Sequence, residues 1–151
     1  MSSDGEKVKE LVDGIRTAML TNRGGHGLCG RPLTVQRVDD DGTVWFLVDR
    51  HADWVAPDLG EVNLSFVDDP TWVSATGQAR VLMDSATIDD LGDPISDTWF
   101  ADEAEPAALR VEIHHADWWS APGKLRQVLN IAGGVITRHE PDMGDRGVAE
   151  P

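Results

Sequence analysis

Apolar and β-branched residues are concentrated in two neighbouring stretches in the first third of the chain. The first covers residues 30–38, the second covers residues 43–49, and an Asp-Gly pair lies between them. β-Branched and apolar residues on both sides of an Asp-Gly pair are typical of a β-hairpin. The second stretch is apolar on both faces, so the pattern predicts a hairpin near the centre of the fold rather than at its edge.

Four other stretches carry a strand pattern. They are residues 17–21, 62–67, 72–84 and 108–119. In the second of them, Val62, Leu64 and Phe66 fall on one face. Gly77 lies inside the third, which predicts a bulge or bend of the kind found at barrel corners. Because tight turns join consecutive strands, we expect antiparallel pairing and a mainly β fold with peripheral helices, about six strands forming a small closed or split barrel.

Helical periodicity is limited to short stretches. Residues 4–16 place apolar residues at i, i+3, i+4 and i+7, with Asp4 as the expected N-cap. Ser85 is the expected N-cap of a second helix. The helices after the first are predicted at residues 85–91, 94–100 and 124–132, with a shorter candidate within residues 50–60. We expect one domain over residues 1–151, a flexible connection at residues 22–27 and a flexible tail at residues 140–151.

The charge balance excludes some classes of partner. The chain has 27 Asp and Glu residues against 13 Lys and Arg residues, a net charge of −14. A field of this sign repels phosphate backbones and anionic membrane surfaces, so neither nucleic acid nor membrane is an expected partner. The sequence shows no apolar leader and no apolar run long enough for a membrane helix. The lone Cys29 fits a reducing cytoplasm. Base-composition bias and solubility explain the acidity better than adaptation to high salt.

Common catalytic motifs are not found in the sequence. It has no P-loop, no dinucleotide-binding glycine fingerprint, no paired cysteine ligands and no Gly-x-Ser-x-Gly elbow. His51, His114 and His115 lack the further ligands that a metal site needs, so none is predicted. The aspartate clusters fall at turns, where their side chains bond to the backbone. No residue is assigned as a general acid or base, and catalytic residues stay unassigned.

Two features favour a ligand-binding role. Arg31 stands beside Pro32 at the start of the central hairpin, where a guanidinium suits an anionic ligand. Trp118 and Trp119 are adjacent at the end of a strand. Because successive side chains of a strand point to opposite faces, one ring is expected to face a ligand or a partner subunit.

Several segments, in order and spacing, match a known family. They are residues 30–34, 41–48, 62–66, 74–79, 99–100, 116–119, 123–125 and 141–144. On these residues the chain resembles the general stress protein branch of the pyridoxamine 5′-phosphate oxidase-like, FMN-binding split-barrel family. The resemblance covers nearly the whole chain, from the first helix to Pro141.

The resemblance implies an antiparallel split β-barrel that forms a homodimer with two FMN sites at the interface. The Arg31 strand lies along the flavin and its ribityl chain, and backbone groups of residues 46–48 face the ring and phosphate. Gln78 and Trp119 lie near the ring or come from the other subunit. The implied cofactor-binding residues are Arg31, Pro32, Leu33, Thr34, Phe46, Leu47, Val48, Asp49, Arg50, Gln78 and Trp119.

One segment departs from the family pattern. The family follows the second hairpin strand with a small hydroxyl residue and then Ser-x-Lys, which holds the phosphate. Here residues 49–54 read Asp-Arg-His-Ala-Asp-Trp, so the lysine is absent and two carboxylates stand nearby. Arg50 is a candidate substitute for the lysine. Like charge beside a phosphate opposes its binding.

Two classes of function follow from the resemblance and the departure. The first is a stress-related FMN protein, an oxidoreductase if active, in which hydride passes through the flavin. The second is a non-catalytic module that binds another flat cofactor (a deazaflavin, haem or FAD), or a structural dimer that has lost FMN. Oxidation of pyridoxamine phosphate itself is not expected, because the basic residues that its phosphate needs are not found.

Overall fold

Antiparallel strands account for most of the computed structural model, which describes residues 3–68, 71–92, 105–120 and 145–151. The elements in these ranges are α1 (Asp4–Val12), β1 (Thr17–Gly24), β2 (Gly27–Val38), β3 (Val44–Asp49), β4 (Asp58–Asp68), β5 (Thr71–Leu82), α2 (Ser85–Leu91), β6 (Pro106–Ser120) and β7 (Asp145–Ala149). The helices predicted at residues 94–100 and 124–132 lie outside the described residues.

The strands form one sheet that closes on itself. Their order is β3-β2-β1-β4-β5-β6-β7, and β3 also pairs with β6. One edge of β6 pairs with β5, while its other edge is shared between β3 and β7. Six strands therefore close a barrel and β7 is added beside it, which confirms the predicted antiparallel, mainly β barrel.

The barrel interior follows the predicted alternation. Val62, Leu64 and Phe66 of β4 are buried on the inner face. Phe46 of β3 lies in the same core and is fully buried. Gly77 sits at a register shift between β5 and β6, as predicted, and a Cβ there would come within 2.2 Å of the Glu112 carbonyl oxygen. Only glycine fits at that approach of two strands.

Helix α1 is shorter than predicted and begins differently. Ser3, not Asp4, is the N-cap, and it forms a capping box with Glu6. The helix ends at Val12 rather than at residue 16. Val8 and Val12 are buried against the barrel. In α2 the predicted N-cap was also one residue late, because Asp84 accepts the backbone N–H of Thr87.

Three predictions for connecting segments are wrong. Residues 22–24 continue β1, and the hairpin pairing with β2 extends to Gly24 and Gly27, so the predicted flexible connection is a tight turn. Residues 50–57 form turns rather than a helix, and β4 begins at Asp58. The tail expected at residues 140–151 contains β7, whose pairing with β6 satisfies its backbone.

No helix among the described residues is long and apolar enough to cross a membrane.

Candidate functional site

The barrel is split where β2 and β3 stop pairing. Their ladder runs from Val38 and Val44 to Val35 and Phe46, and it ends there. Beyond that point β2 still pairs with β1 on its far edge, and β3 still pairs with β6 on its far edge. Among the described residues, the edges that face each other across the split therefore have no ladder partner. Such edges present N–H and C=O groups to whatever lies between them.

A cavity of about 190 Å³ opens at this split. It is lined by Thr17, Pro32, Leu33, Thr34, Gln36, Leu47, Val48, Asp49, Ala52 and Trp54, and we call it the β2–β3 cavity. Its walls are mainly apolar, with hydroxyl, amide and carboxylate groups at intervals. Ligand sites combine apolar walls with a few polar groups in this way.

The β2–β3 cavity brings together the predicted residues Pro32, Leu33, Thr34, Leu47, Val48 and Asp49. Phe46 does not line it, because its side chain points into the barrel core. Asp49 is half-buried, and its Oδ1 accepts the backbone N–H of His51 at 3.0 Å. A carboxylate therefore lies in the cavity wall.

Arg31 lies in a neighbouring groove rather than in the cavity. Its Nη1 donates to Asn22 Oδ1 at 2.8 Å, and its guanidinium lies 4.3 Å from the centre of the Trp54 ring. Burial lowers the pKa of Arg31 from its ordinary value. The groove, of about 390 Å³, is also lined by Arg23, Asp53 and other residues of β1, β2 and the segment before β4. We call it the Arg31 groove, and Trp54 forms a wall of both spaces.

Arg50 is turned away from the cavity. Its Nη2 donates to the Pro106 carbonyl at 3.3 Å, and its Nε lies 3.5 Å from Glu105 Oε2, an ion pair without a hydrogen bond. These contacts place the guanidinium against the start of β6. In this conformation Arg50 does not replace the missing lysine at the cavity.

Gln78 and Trp119 also lie away from the β2–β3 cavity of their own chain. Gln78 lines a separate polar groove with Asp58, Arg80, Arg110 and Glu112. Trp119 faces Trp72 across the β5–β6 ladder, and the guanidinium of Arg146 lies 5.3 Å from the centre of its ring.

An uncharged surface connects the cavity to this tryptophan pair. It is the central part of the outward-facing side of β2, β1, β4 and β5, bounded at one end by the outward-facing charged residues Arg23, Glu61 and Arg80, and we call it the uncharged outer face. Its residues are Thr17, Met19, Thr21, Pro32, Thr34, Asn63, Ser65, Val67, Trp72, Ser74 and Thr76. Met19 and Val67 are 43% and 60% exposed. Asn63 Nδ2 donates to Ser74 and Thr76 hydroxyls across the β4–β5 ladder.

Sequence reasoning missed Gln36 and Trp54 as cavity residues. Gln36 follows Thr34 by two positions on β2, so strand alternation already indicated a shared face. The segment that contains Trp54 was predicted as a short helix, so the stacking of Arg31 on its ring was not expected. The structure shows that both amide atoms of Gln36, Nε2 and Oε1, are buried without a hydrogen-bond partner among the described residues.

Among the described residues, the side chains at the cavity do not form a metal or haem site. Over the described ranges, no group of three or more His, Cys, Asp or Glu side chains is arranged to hold a metal ion. None of the described residues that line the β2–β3 cavity is His, Cys, Met or Tyr, the usual axial ligands of haem.

Solved structures of known proteins share this fold. A protein described as a putative general stress protein 26 from Jannaschia sp. CCS1 is 21% identical, with a TM-score of 0.67 and 98% of each chain covered. The general stress FMN/FAD binding protein from Xanthomonas citri is 26% identical, with a TM-score of 0.63, 77% of this chain and 87% of that chain covered. A heme binding protein from Mycobacterium smegmatis is 12% identical, with a TM-score of 0.56, 82% of this chain and 57% of that chain covered.

A family model gives the assignment of this chain. No curated protein matches the chain at a significant level. The model described as "Pyridoxamine 5'-phosphate oxidase like" matches residues 3–142, which is most of the sequence. The order of strands, the split beside Arg31 and this match agree with the resemblance found in the sequence, and the chain belongs to the pyridoxamine 5′-phosphate oxidase-like family.

Proposed function

We propose that this protein binds a flavin nucleotide, with the ring in the β2–β3 cavity and the phosphate toward Arg31. The observation that carries the proposal is the split itself. Two strand edges that have no ladder partner within the described ranges flank a mainly apolar cavity, and the residues around it are largely those that the family resemblance selects. The relative from Xanthomonas citri, described as an FMN/FAD binding protein, supports the same ligand class.

The ring fits the cavity in chemical terms. Pro32, Leu33, Leu47 and Val48 offer apolar contact to the faces of a flat heterocycle. The free backbone edges of β2 and β3 offer N–H and C=O groups to its polar rim. A flat ligand with polar atoms around its edge uses both kinds of surface.

The phosphate would depend on Arg31. Its guanidinium is planar and can bind a phosphate through two parallel N–H groups. Stacking on Trp54 and the hydrogen bond to Asn22 hold it in one orientation before a ligand arrives. Asp49 and Asp53 oppose the dianion from the cavity and the groove. We therefore expect the flavin ring to contribute most of the binding free energy and the phosphate to contribute less.

The site would be completed by a second copy of the chain. The β2–β3 cavity, at about 190 Å³, is smaller than the roughly 300–1,000 Å³ of ordinary ligand pockets. Two chains of net charge −14 repel each other, and the uncharged outer face is a surface where they can meet without direct charge conflict. Thr17 and Thr34 belong to both this face and the cavity wall. A twofold contact there would cover the cavity, with Trp119 and Gln78 of the second copy near its mouth.

A bound flavin would supply hydride transfer, so we propose an oxidoreductase related to stress responses. The protein would contribute position and electrostatics to that chemistry. No side chain of the cavity is assigned as an acid or base.

Haem is the second candidate, and it rests on one observation. The Mycobacterium smegmatis relative with this fold is described as a heme binding protein. The described lining of the β2–β3 cavity offers no ordinary axial ligand, and its amide and hydroxyl groups suit a flavin rim better.

Absorbance and fluorescence separate these candidates. Protein purified without added cofactor is expected to be yellow, and denaturation should release a fluorescent flavin. Ligand-free protein should quench the fluorescence of added riboflavin, FMN or FAD in a saturable titration, with heat-denatured protein as the control. No quenching by the folded protein, or an intense haem absorbance band instead of a flavin spectrum, would overturn the proposal.

A further inference from the structure

Gln36 is the extra residue of a β-bulge. Val35 pairs with Phe46 and Arg37 pairs with Trp45, so Gln36 has no counterpart on β3. It lies at the last paired step of the ladder, next to the split, and its side chain lines the β2–β3 cavity. Bulges near ligand sites often redirect one side chain out of the regular alternation.

The amide of Gln36 is also unsatisfied. Its Nε2 and Oε1 are both buried, and neither has a hydrogen-bond partner among the described residues. A buried amide without partners is unfavourable, and most such groups in folded proteins are paired. The amide torsion is soft, so a small rotation can turn both atoms toward a ligand in the cavity. A ligand that satisfies both atoms would remove an unfavourable term and gain hydrogen bonds as well.

We propose that Gln36 selects flat heterocycles with a lactam edge, that is, a ring carbonyl next to a ring N–H. A primary amide presents an acceptor and a donor side by side, which matches such an edge. Isoalloxazine and deazaflavin rings carry this edge, whereas a porphyrin rim carries hydrocarbon groups and acceptor-only carboxylates. The inference rests on the proposed flavin function and names the part of the ligand that the cavity recognises.

A neutral amide gives this recognition a particular property. Gln36 carries no charge, so its contribution does not depend on the phosphate of the ligand. Riboflavin, which has the ring and no phosphate, should therefore depend on Gln36 as strongly as FMN does. Arg31, which lies in the separate groove, should affect FMN alone.

The test uses Gln36→Met and Gln36→Glu in the full chain, with riboflavin and FMN titrated by fluorescence quenching. Methionine keeps the length of the side chain and removes both polar atoms, while glutamate keeps its shape, loses the donor and adds a negative charge. Gln36→Met is expected to weaken both ligands by a similar factor of about ten or more. Its ligand-free form should melt at a higher temperature than wild type, because an unsatisfied buried amide has been removed.

The outcomes separate this inference from the proposed function. Wild-type protein that binds neither flavin contradicts the proposed function, and the inference with it. Wild-type protein that binds both flavins, with unchanged affinity in Gln36→Met, overturns the inference alone. A lower melting temperature of the ligand-free Gln36→Met protein with unchanged affinity would assign the amide a structural role. If the methionine variant does not fold, the riboflavin affinity of Gln36→Glu decides, because riboflavin has no phosphate for the added charge to repel: weakened riboflavin binding supports the inference and unchanged binding overturns it.

Discussion

The guanidinium of Arg31 lies 4.3 Å from the centre of the Trp54 ring, and Trp54 also forms a wall of the β2–β3 cavity. The stacked Arg31 and Trp54 side chains therefore lie between the Arg31 groove, where we place the phosphate, and the β2–β3 cavity, where we place the flavin ring. Stacking fixes a planar guanidinium in a way that a lysine ammonium cannot match. This pair offers a route by which a chain without the family's lysine can still hold an anion.

Arg31→Ala is expected to weaken FMN by about 10- to 100-fold, because a charge-assisted hydrogen bond contributes about 1.5–3 kcal/mol. Riboflavin affinity should change little, and Arg31→Lys should fall between the two proteins. Fluorescence titration measures all three. Lys9→Ala is the control for loss of one positive charge, because Lys9 lies on α1 and pairs with exposed Asp40. Equal weakening of FMN and riboflavin by Arg31→Ala would place the phosphate elsewhere.

Asp49 provides the opposite test. Asp49→Asn keeps an oxygen that can accept the His51 N–H and removes the negative charge from the cavity wall. FMN should bind about fivefold more tightly, because removing a like charge from the wall of a site of intermediate dielectric relieves on the order of 1 kcal/mol of repulsion. Riboflavin serves as the internal control, since it lacks the phosphate. A gain for riboflavin of the same size would mean that the effect is not electrostatic.

The barrel was predicted well because the patterns that indicate its strands and turns are local in the sequence. Alternation in β4 and the Asp-Gly turn before β3 each depend on a few consecutive residues, and both predictions agree with the structure. Each predicted N-cap was one residue late. Ser3 and Asp84 are the N-caps, and the residues that follow them, Asp4 and Ser85, are of types that also cap helices well. The β7 strand was missed because residues 145–149, Asp-Arg-Gly-Val-Ala, carry no apolar alternation of their own.

The candidate site was predictable only where a resemblance supplied it. Pro32 and Leu47 could be chosen from their motifs, and both line the cavity. The bulge at Gln36 depends on the register between two strands, which no local pattern gives. The turn of Arg50 toward Glu105 depends on the start of β6, more than 50 residues away in the chain.

A lysine on the uncharged outer face tests the proposed dimer. Val67→Lys places a charge where two copies would meet, and Val67 is exposed enough that the fold should tolerate it. Light scattering should give twice the mass of one chain for wild type and a shift toward one chain for the variant, with weaker flavin binding. Met83→Lys is the matched control, because Met83 is 48% exposed and follows the far end of β5, away from this face. Equal masses for all three proteins would contradict the proposed interface.

We expect His115 to make the stability of the folded protein depend on pH. Its ring nitrogens lie 3.0 Å from Glu150 Oε1 and 3.1 Å from Asp117 Oδ2. The hydrogen bond to Glu150, followed by that to Asp117, raises the pKa of His115 above its ordinary value of 6.5. Because the folded pKa is the higher one, this contribution is fully present below the unfolded pKa and is lost as pH rises through the folded pKa.

The comparison of wild type with His115→Asn isolates that contribution. Urea unfolding midpoints measured from pH 5.5 to 9 should show wild type more stable than the variant at the acidic end. The difference should shrink as the pH rises above 6.5 and vanish once the imidazole is neutral in both states. Asparagine keeps hydrogen-bonding capacity without a titrating charge, so a difference that is constant with pH would assign His115 a packing role. A difference that grows with pH would show that the pKa is shifted in the opposite direction.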